Sequence, residues 1–243
     1  MSSIKNISGI SAPSRNMMRL HDTTYAPTGL WQFASGSLLT DSSGNSATLT
    51  QDSTHGAATQ VGGVQPNNQA LQDFIYYRND AADFQYTGAM SAALLFKADK
   101  YTHSGGDNYY RLVMCYGNSV ANNRFALAIS PTGYFYYDHT NGSTGYPFTL
   151  TDLHYDLYRW HHLAFTRTSN GRTVTLYLDG EQIFQTTLAS APGSGNTNLF
   201  GIGGQNAYNG GAYDNISLSS VAVFDKELTA AEVAGLSAHC LGY

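Results

Sequence analysis

Residues 159–183, RWHHLAFTRTSNGRTVTLYLDGEQI, restrict the fold more than any other part of the chain. Taking Asn170-Gly171 as a two-residue type I′ hairpin turn, the pairs count outward. Arg167 faces Val174, Thr166 faces Thr175, Phe165 faces Leu176, Ala164 faces Tyr177, Leu163 faces Leu178 and His162 faces Asp179. This register gathers Leu163, Phe165, Val174, Leu176 and Leu178 on one face. The other face carries His162, Ala164, Thr166, Thr175, Tyr177 and Asp179. A one-residue slip would mix the two sets, so the pattern specifies an antiparallel hairpin in one register.

The rest of the body repeats the theme. Short strand-like runs (LWQF, SATLT, MSAALLFKA, YYRLVMCYG, RFALAIS, GYFYYDH, QIFQTTL, LFGIGG, ISLSSVAVF) are separated by polar turns. Many short strands at such spacing predict an all-β, two-sheet antiparallel jelly-roll sandwich. Charged residues are only 12% against about 25% in average globular chains, while Tyr reaches 18 and Gly 25. That composition suits β-structure with long polar loops, or a particle subunit partly covered by neighbours. One helix is expected near the end, in ELTAAEVAGLSA. Thr229 and Glu232 have capping-box spacing, Val233 and Leu236 face the sheet, and Gly235 weakens the helix or ends it early.

Residues 1–27 read as an N-terminal arm and 28–243 as one domain. The arm has Pro13 and Pro27 as breakers and Ile4, Ile7, Ile10, Met17, Met18 and Leu20 as apolar anchors for docking on a partner. It holds no apolar run of signal-peptide length, and no stretch reaches the ~18 apolar residues of a membrane span. Synthesis in the cytosol without membrane insertion is therefore expected. Net charge is −5 with 12 Lys+Arg and no basic run, which argues against nucleic acid as a partner. Two cysteines make no disulfide framework. Cys115, inside a strand-like run, reads as a buried free thiol and Cys240 as lying near an exposed terminus, with a bridge between them left open.

The adjacent His161 and His162 invite a metal or catalytic reading. Alternation along a strand sends them to opposite faces, so the pair cannot chelate one ion together. No H-E-x-x-H and no Cys pair accompanies them, and no metal is expected. His162, opposite Asp179, is expected to make one cross-strand hydrogen bond.

Taken in order, the early Trp31 followed by DSSGN with Asp41, the Trp160-His161-His162 strand, the LYLDG turn at Asp179 and the closing VAVFDKELTAAEV resemble the laminin-G-like branch of the concanavalin A-like lectin/glucanase superfamily. The resemblance spans roughly residues 28 to 237. It implies a two-sheet jelly roll in which Trp31, Asp41, Trp160, His162 and Asp179 are framework residues. Glucanases of that superfamily carry closely spaced carboxylates, because acid and nucleophile must flank one bond about 5–5.5 Å apart. Here the glutamates are Glu181, Glu227 and Glu232, none with an Asp two residues away, and the signatures of jelly-roll lyases are absent. No catalytic residue is expected. The family sometimes holds Ca²⁺ beside an acidic pair preceding the last core strand. That place reads Ser219-Ser220, so no cofactor is expected, and calcium alone stays open. Asp41 reads as an Asx-turn that orders its loop.

GYFYYDHTNGSTGYPF is the most ligand-like stretch. Tyr134, Tyr136, Tyr137 and Tyr146 offer flat faces to a sugar, with Asp138, His139 and Asn141 as polar edges. The competing reading is the alternation of a sandwich core and its wet face. The leading expectation is a non-enzymatic structural or adhesion protein of a bacteriophage virion, docked by its arm on capsid or tail proteins. A host-surface or environmental glycan is the second partner this reading admits. A homo-oligomer is expected, a trimer fitting particle symmetry. The alternative is a secreted or surface lectin-like carbohydrate-binding module.

Overall fold

The computed structural model describes residues 21–33, 40–51, 59–60, 64–65, 76–79, 88–98, 111–116, 125–129, 135–141, 144–145, 148–150, 155–191, 199–202 and 216–242. In chain order the strands are β1 (Gly29–Gln32), β2 (Thr50–Gln51), β3 (Thr59–Gln60), β4 (Val64–Gln65), β5 (Tyr76–Asn79), β6 (Met90–Ala98), β7 (Arg111–Tyr116) and β8 (Phe125–Ile129). They continue with β9 (Phe135–Asn141), β10 (Thr144–Gly145), β11 (Phe148–Leu150), β12 (Trp160–Arg167), β13 (Thr173–Leu178), β14 (Glu181–Thr187), β15 (Leu199–Ile202) and β16 (Ile216–Phe224), closed by helix α1 (Ala230–Leu241). One sheet runs β14-β13-β12-β6-β16-β4-β3, with β1 also on β16. The other runs β10-β9-β8-β7-β15-β5-β2, with β11 also on β9. Every strand pair among the described residues is antiparallel, as a jelly roll requires. Of the expected strands, SATLT forms only at its last residue, Thr50, while the Tyr76–Asn79 strand was not foreseen.

The hairpin register is the expected one, pair for pair from Leu163↔Leu178 to Arg167↔Val174. Its turn is not. Gly171 is left-handed (φ 72) but Asn170 is not, and Gly171 N–H donates to Thr168 O at 2.8 Å. The connection is therefore a type I turn followed by a left-handed glycine, closed by Thr168 N–H on Thr173 O at 3.1 Å. It keeps the same residue sum, which is why the register survives. The type I′ turn lies instead at Asp179-Gly180, where both residues are left-handed (φ 53 and 89) between paired Leu178 and Glu181. A Cβ on Gly180 would also meet Ser237 Cβ at 3.2 Å and Ala234 Cα at 3.4 Å, because α1 crosses over this turn. Gly180→Ala is expected to cost roughly 1–3 kcal/mol. An unchanged urea midpoint would refute the packing of helix on turn.

The core lies between the sheets. Alternation on β6 sends Met90, Ala92, Leu94, Phe96 and Ala98 inward with Leu163, Phe165, Val174 and Leu176. They meet Phe135 and Tyr137 of β9: Phe96–Phe135 is edge-on at 6.2 Å, and Tyr137–Phe165 is edge-on at 5.8 Å. The outer face of the first sheet is buried as well. Ala93, Ala164, Tyr177, Ala222 and Phe224 pack under Leu228, Val233 and Leu236. The helix begins at the Thr229–Glu232 capping box, as its spacing predicts. It runs on through Gly235 to Leu241, contrary to the early stop expected there. Gly235 serves a different purpose: a Cβ would lie 2.6 Å from Tyr25 Oη, so the glycine lets the N-terminal segment cross the helix. Residues 21–27 thus pack on the body, although the arm reading placed them outside it. The anchors Ile4, Ile7, Ile10, Met17, Met18 and Leu20 lie outside the described residues.

Candidate functional site

Three central strands place one row of side chains on the outer face. His162 of β12 pairs with Leu95 of β6, and Leu95 pairs with Ser220 of β16. Strict alternation from the inward Leu218 would send Ser220 into the core. A β-bulge between Leu218 and Ser220 inserts Ser219, so Ser220 points outward while Val221 and Val223 return inward. Above this row lie His21, from the N-terminal segment, and Cys240, from the last turn of α1. Both are fully buried. Ser220 Oγ sits 2.6 Å from His21 Nδ1, and the two imidazoles face each other at 3.1 Å between Nε2 atoms. His162 Nδ1 is buried without a hydrogen-bond partner. The ligating atoms of His21, His162 and Cys240 all lie within 4.8 Å of one another. Cys240 is a buried free thiol, not the exposed one expected.

Electrostatically the cluster favours neutral groups. Burial pushes His162 down to about 4, with the Asp179 charge pulling the other way. Burial also lowers His21 well below its usual value, and His162 and His239 add to the effect. The Cys240 thiol is pushed up to about 12 by burial, then by the negative Asp22.

Asp179 does not hold the His162 ring. Its Oδ1 accepts from the His162 backbone N–H at 2.8 Å, and its Oδ2 meets Nδ1 of His161 at 2.7 Å. The left-handed turn aims the carboxylate back over β12 rather than straight across to the facing side chain. The His161 ring lies on the core side against Phe96 and Tyr155, with Nε2 2.9 Å from Asp156 O. Both of its partners are acceptors, so the ring is held between the Asp179 carboxylate and the Asp156 carbonyl. Asp41 behaves as an Asx-turn: its carboxylate accepts from the N–H groups of Leu30, Ser43 and Ala47 and from Ser43 Oγ. Burial alone would push its pKa up. The bonds from Ser43, Leu30 and Ala47 outweigh that and hold it low. Trp31 is buried beside it, its Nε1 donating to Ala47 O at 2.8 Å.

The tyrosine stretch divides. Tyr137 is buried against Phe165 in the core, so it offers no face to a sugar. Tyr136, Asp138 and Asn141 occupy β9, with their side chains outside those described, and Tyr134 and Tyr146 lie outside the described residues. The exposed aromatic of the described surface is one the sequence did not single out. Tyr158 is 73% exposed in a left-handed conformation (φ 62), pinned by its N–H on Ala98 O at 2.8 Å. Beside it Arg159 pairs with Asp156 at 3.1 Å, and Lys97 Nζ stands 5.7 Å over the half-buried Trp160 ring. A flat apolar face edged by fixed charges is a plausible geometry for a polar ligand with C–H faces.

A laminin-G-type family model, described as the concanavalin A-like lectin/glucanases superfamily, matches residues 72–234, about two thirds of the chain. The chain belongs to this superfamily. Among curated proteins no match is found. The receptor-binding domain of botulinum neurotoxin mosaic serotype C/D superposes with TM-score 0.66 at 13% identity, over 87% of this chain and 50% of that one. The binding domain of botulinum neurotoxin DC, solved in complex with rat synaptotagmin II, gives TM-score 0.66 at 15% identity over 90% and 52%. A structure of botulinum neurotoxin type C, whose cell entry is described as dependent on two ganglioside molecules, gives 0.65 at 13% over 90% and 52%. At such identities the likeness is one of fold. This superfamily member spans about half the length of those chains. The phage origin expected from composition finds no support in these comparisons.

Sequence reasoning missed His21 and Ser220. A signal for Ser220 was present: in ISLSSVAVF the apolar step from Leu218 to Val221 breaks the two-residue period, the mark of a bulge. His21 carried none, because it reaches its partners only through tertiary packing.

Proposed function

We propose that the chain is a non-enzymatic, lectin-like recognition module that binds carbohydrate at a surface outside the cell that makes it. Membership of a lectin superfamily carries this reading, and a structural relative described as ganglioside-dependent supports it. Tyr158, with the Arg159–Asp156 pair, marks one place where a sugar ring could stack and be gripped at its hydroxyls. The placement of the glutamates supports the non-enzymatic part of this reading. Glu232 is spent on the Thr229 cap and on Lys226 at 2.9 Å, and Glu181 and Glu227 are exposed beside turns. The virion role expected from the arm and composition rests on the sequence alone, so carbohydrate recognition leads.

The test is a glycan array together with ganglioside-containing vesicles. Wild type is expected to retain a glycan, and Tyr158→Ala to weaken it by about tenfold or more without loss of fold, since the side chain is exposed. Tyr136→Ala reports on β9 separately. Tyr137→Ala is unsuitable, because it removes a core ring. No retention by wild type on either surface would sink the reading.

A further inference from the structure

We propose that His21, His162 and Cys240 form a site for one zinc-type transition-metal ion, which ties the N-terminal segment and the C-terminal helix to the outer face of the first sheet. The three residues are 141 and 78 positions apart in order, yet their ligating atoms gather within 4.8 Å, fully buried. Tetrahedral zinc, with Zn–N about 2.0–2.1 Å and Zn–S about 2.3 Å, holds its ligand atoms roughly 3.3–3.7 Å apart. The two Nε2 atoms already stand at 3.1 Å, and with the Cys240 sulfur no ligand atom is more than 4.8 Å from another, about an ångström from that spacing. Two imidazoles and a thiolate are borderline-to-soft donors. They suit zinc and its neighbours and reject the oxygen-seeking calcium and magnesium.

The surroundings match such a role. Ser220 Oγ at His21 Nδ1 is the outer partner that fixes a ligating ring, leaving Nε2 turned to the site, and the β-bulge at Ser219 exists where that hydroxyl is needed. As a hydrogen-bonded pair alone the histidines share a single proton across the Nε2–Nε2 contact, whereas a metal ion between them would take a lone pair from each ring. Burial shuts the centre off from bulk solvent, and with three protein ligands a fourth position is left for water or another small ligand. Asp22 and His239, 3.5 Å apart, already join the same segment to the same helix at the surface.

The experiment uses the full chain, stripped with chelator and titrated with Co²⁺ as a spectroscopic stand-in for zinc. One equivalent is expected to give a thiolate-to-cobalt charge-transfer band in the near ultraviolet and tetrahedral d–d bands in the visible. Zn²⁺ should displace it and raise Tm by roughly 10 °C at saturation. Mg²⁺ and Ca²⁺ should do neither. Cys240→Ser should abolish the charge-transfer band and Cys115→Ser should leave it, each variant checked for fold by circular dichroism. Absence of the bands in folded wild type overturns the proposal without recourse to any variant. So does a band that survives Cys240→Ser.

Discussion

Asp179→Ala is expected to lower the stability of the domain by at least about 3 kcal/mol. The carboxylate answers two buried groups at once, the His162 backbone N–H and the His161 ring. Each buried group left unanswered costs about 1–3 kcal/mol. Alanine at φ 53 adds about 1 kcal/mol more, because its Cβ crowds the following carbonyl in the left-handed region. Asp179→Asn separates the causes. Asparagine tolerates that backbone, its oxygen can still accept from the His162 N–H, and its amide can still reach the His161 ring. A loss of about 1 kcal/mol or less is expected. Urea denaturation of the two variants provides the measurement. Equal losses would mean that the hydrogen bonds are not what stabilises the turn.

Acid is expected to loosen the outer face in a defined window. His162 takes a proton near 6.5 when unfolded but near 4 when folded. Between those values the unfolded chain binds more protons, so stability rises with pH. The contribution is complete above 6.5 and is lost as pH falls towards 4, and it amounts to about 3 kcal/mol. His21 acts in the same direction. The groups facing this ring are His21 from the N-terminal segment, Cys240 from α1 and the Asp179 carboxylate from the β13–β14 turn, with Asp22 and His239 at the margin. The depressed carboxylates Asp22, Asp41 and Glu232 act in the same direction, their share being lost as pH falls past their ordinary values of 3.8, 3.8 and 4.5, so the His162 variant is what isolates the imidazole. Chemical denaturation in chelator at pH 7.5 and about 4.5 should show the drop, and His162→Gln should flatten it. A wild-type profile level across that interval would contradict the neutral, buried pair.

The hairpin could be read to the residue because both of its faces are buried against different partners, so only one register separates Leu163 and Phe165 from Ala164 and Tyr177. The capping box was legible because it is local. What could not be read is where turns aim side chains: Asp179 faces His162 in the ladder yet bonds the ring of His161, since two left-handed residues swing its carboxylate across. The type I′ turn was assigned to Asn170-Gly171 although the neighbouring Asp-Gly adopts it, because both dipeptides favour it equally and strand twist decides. Tyr137 was grouped with its neighbours as a sugar platform. Period two along β9 makes it core, but the sequence alone does not say which parity faces inward. The pocket at His21 depends on a segment whose own sequence lacks periodicity.

The meeting of His21 and Cys240 also fixes how the domain presents itself to its surroundings. The chain enters and leaves the described body at one spot, on the face roofed by α1, while β9 and its sheet lie across the core. A load applied at residue 21 and one applied at residue 242 therefore act on the same point of the outer face, with the second sheet on the opposite side of the core.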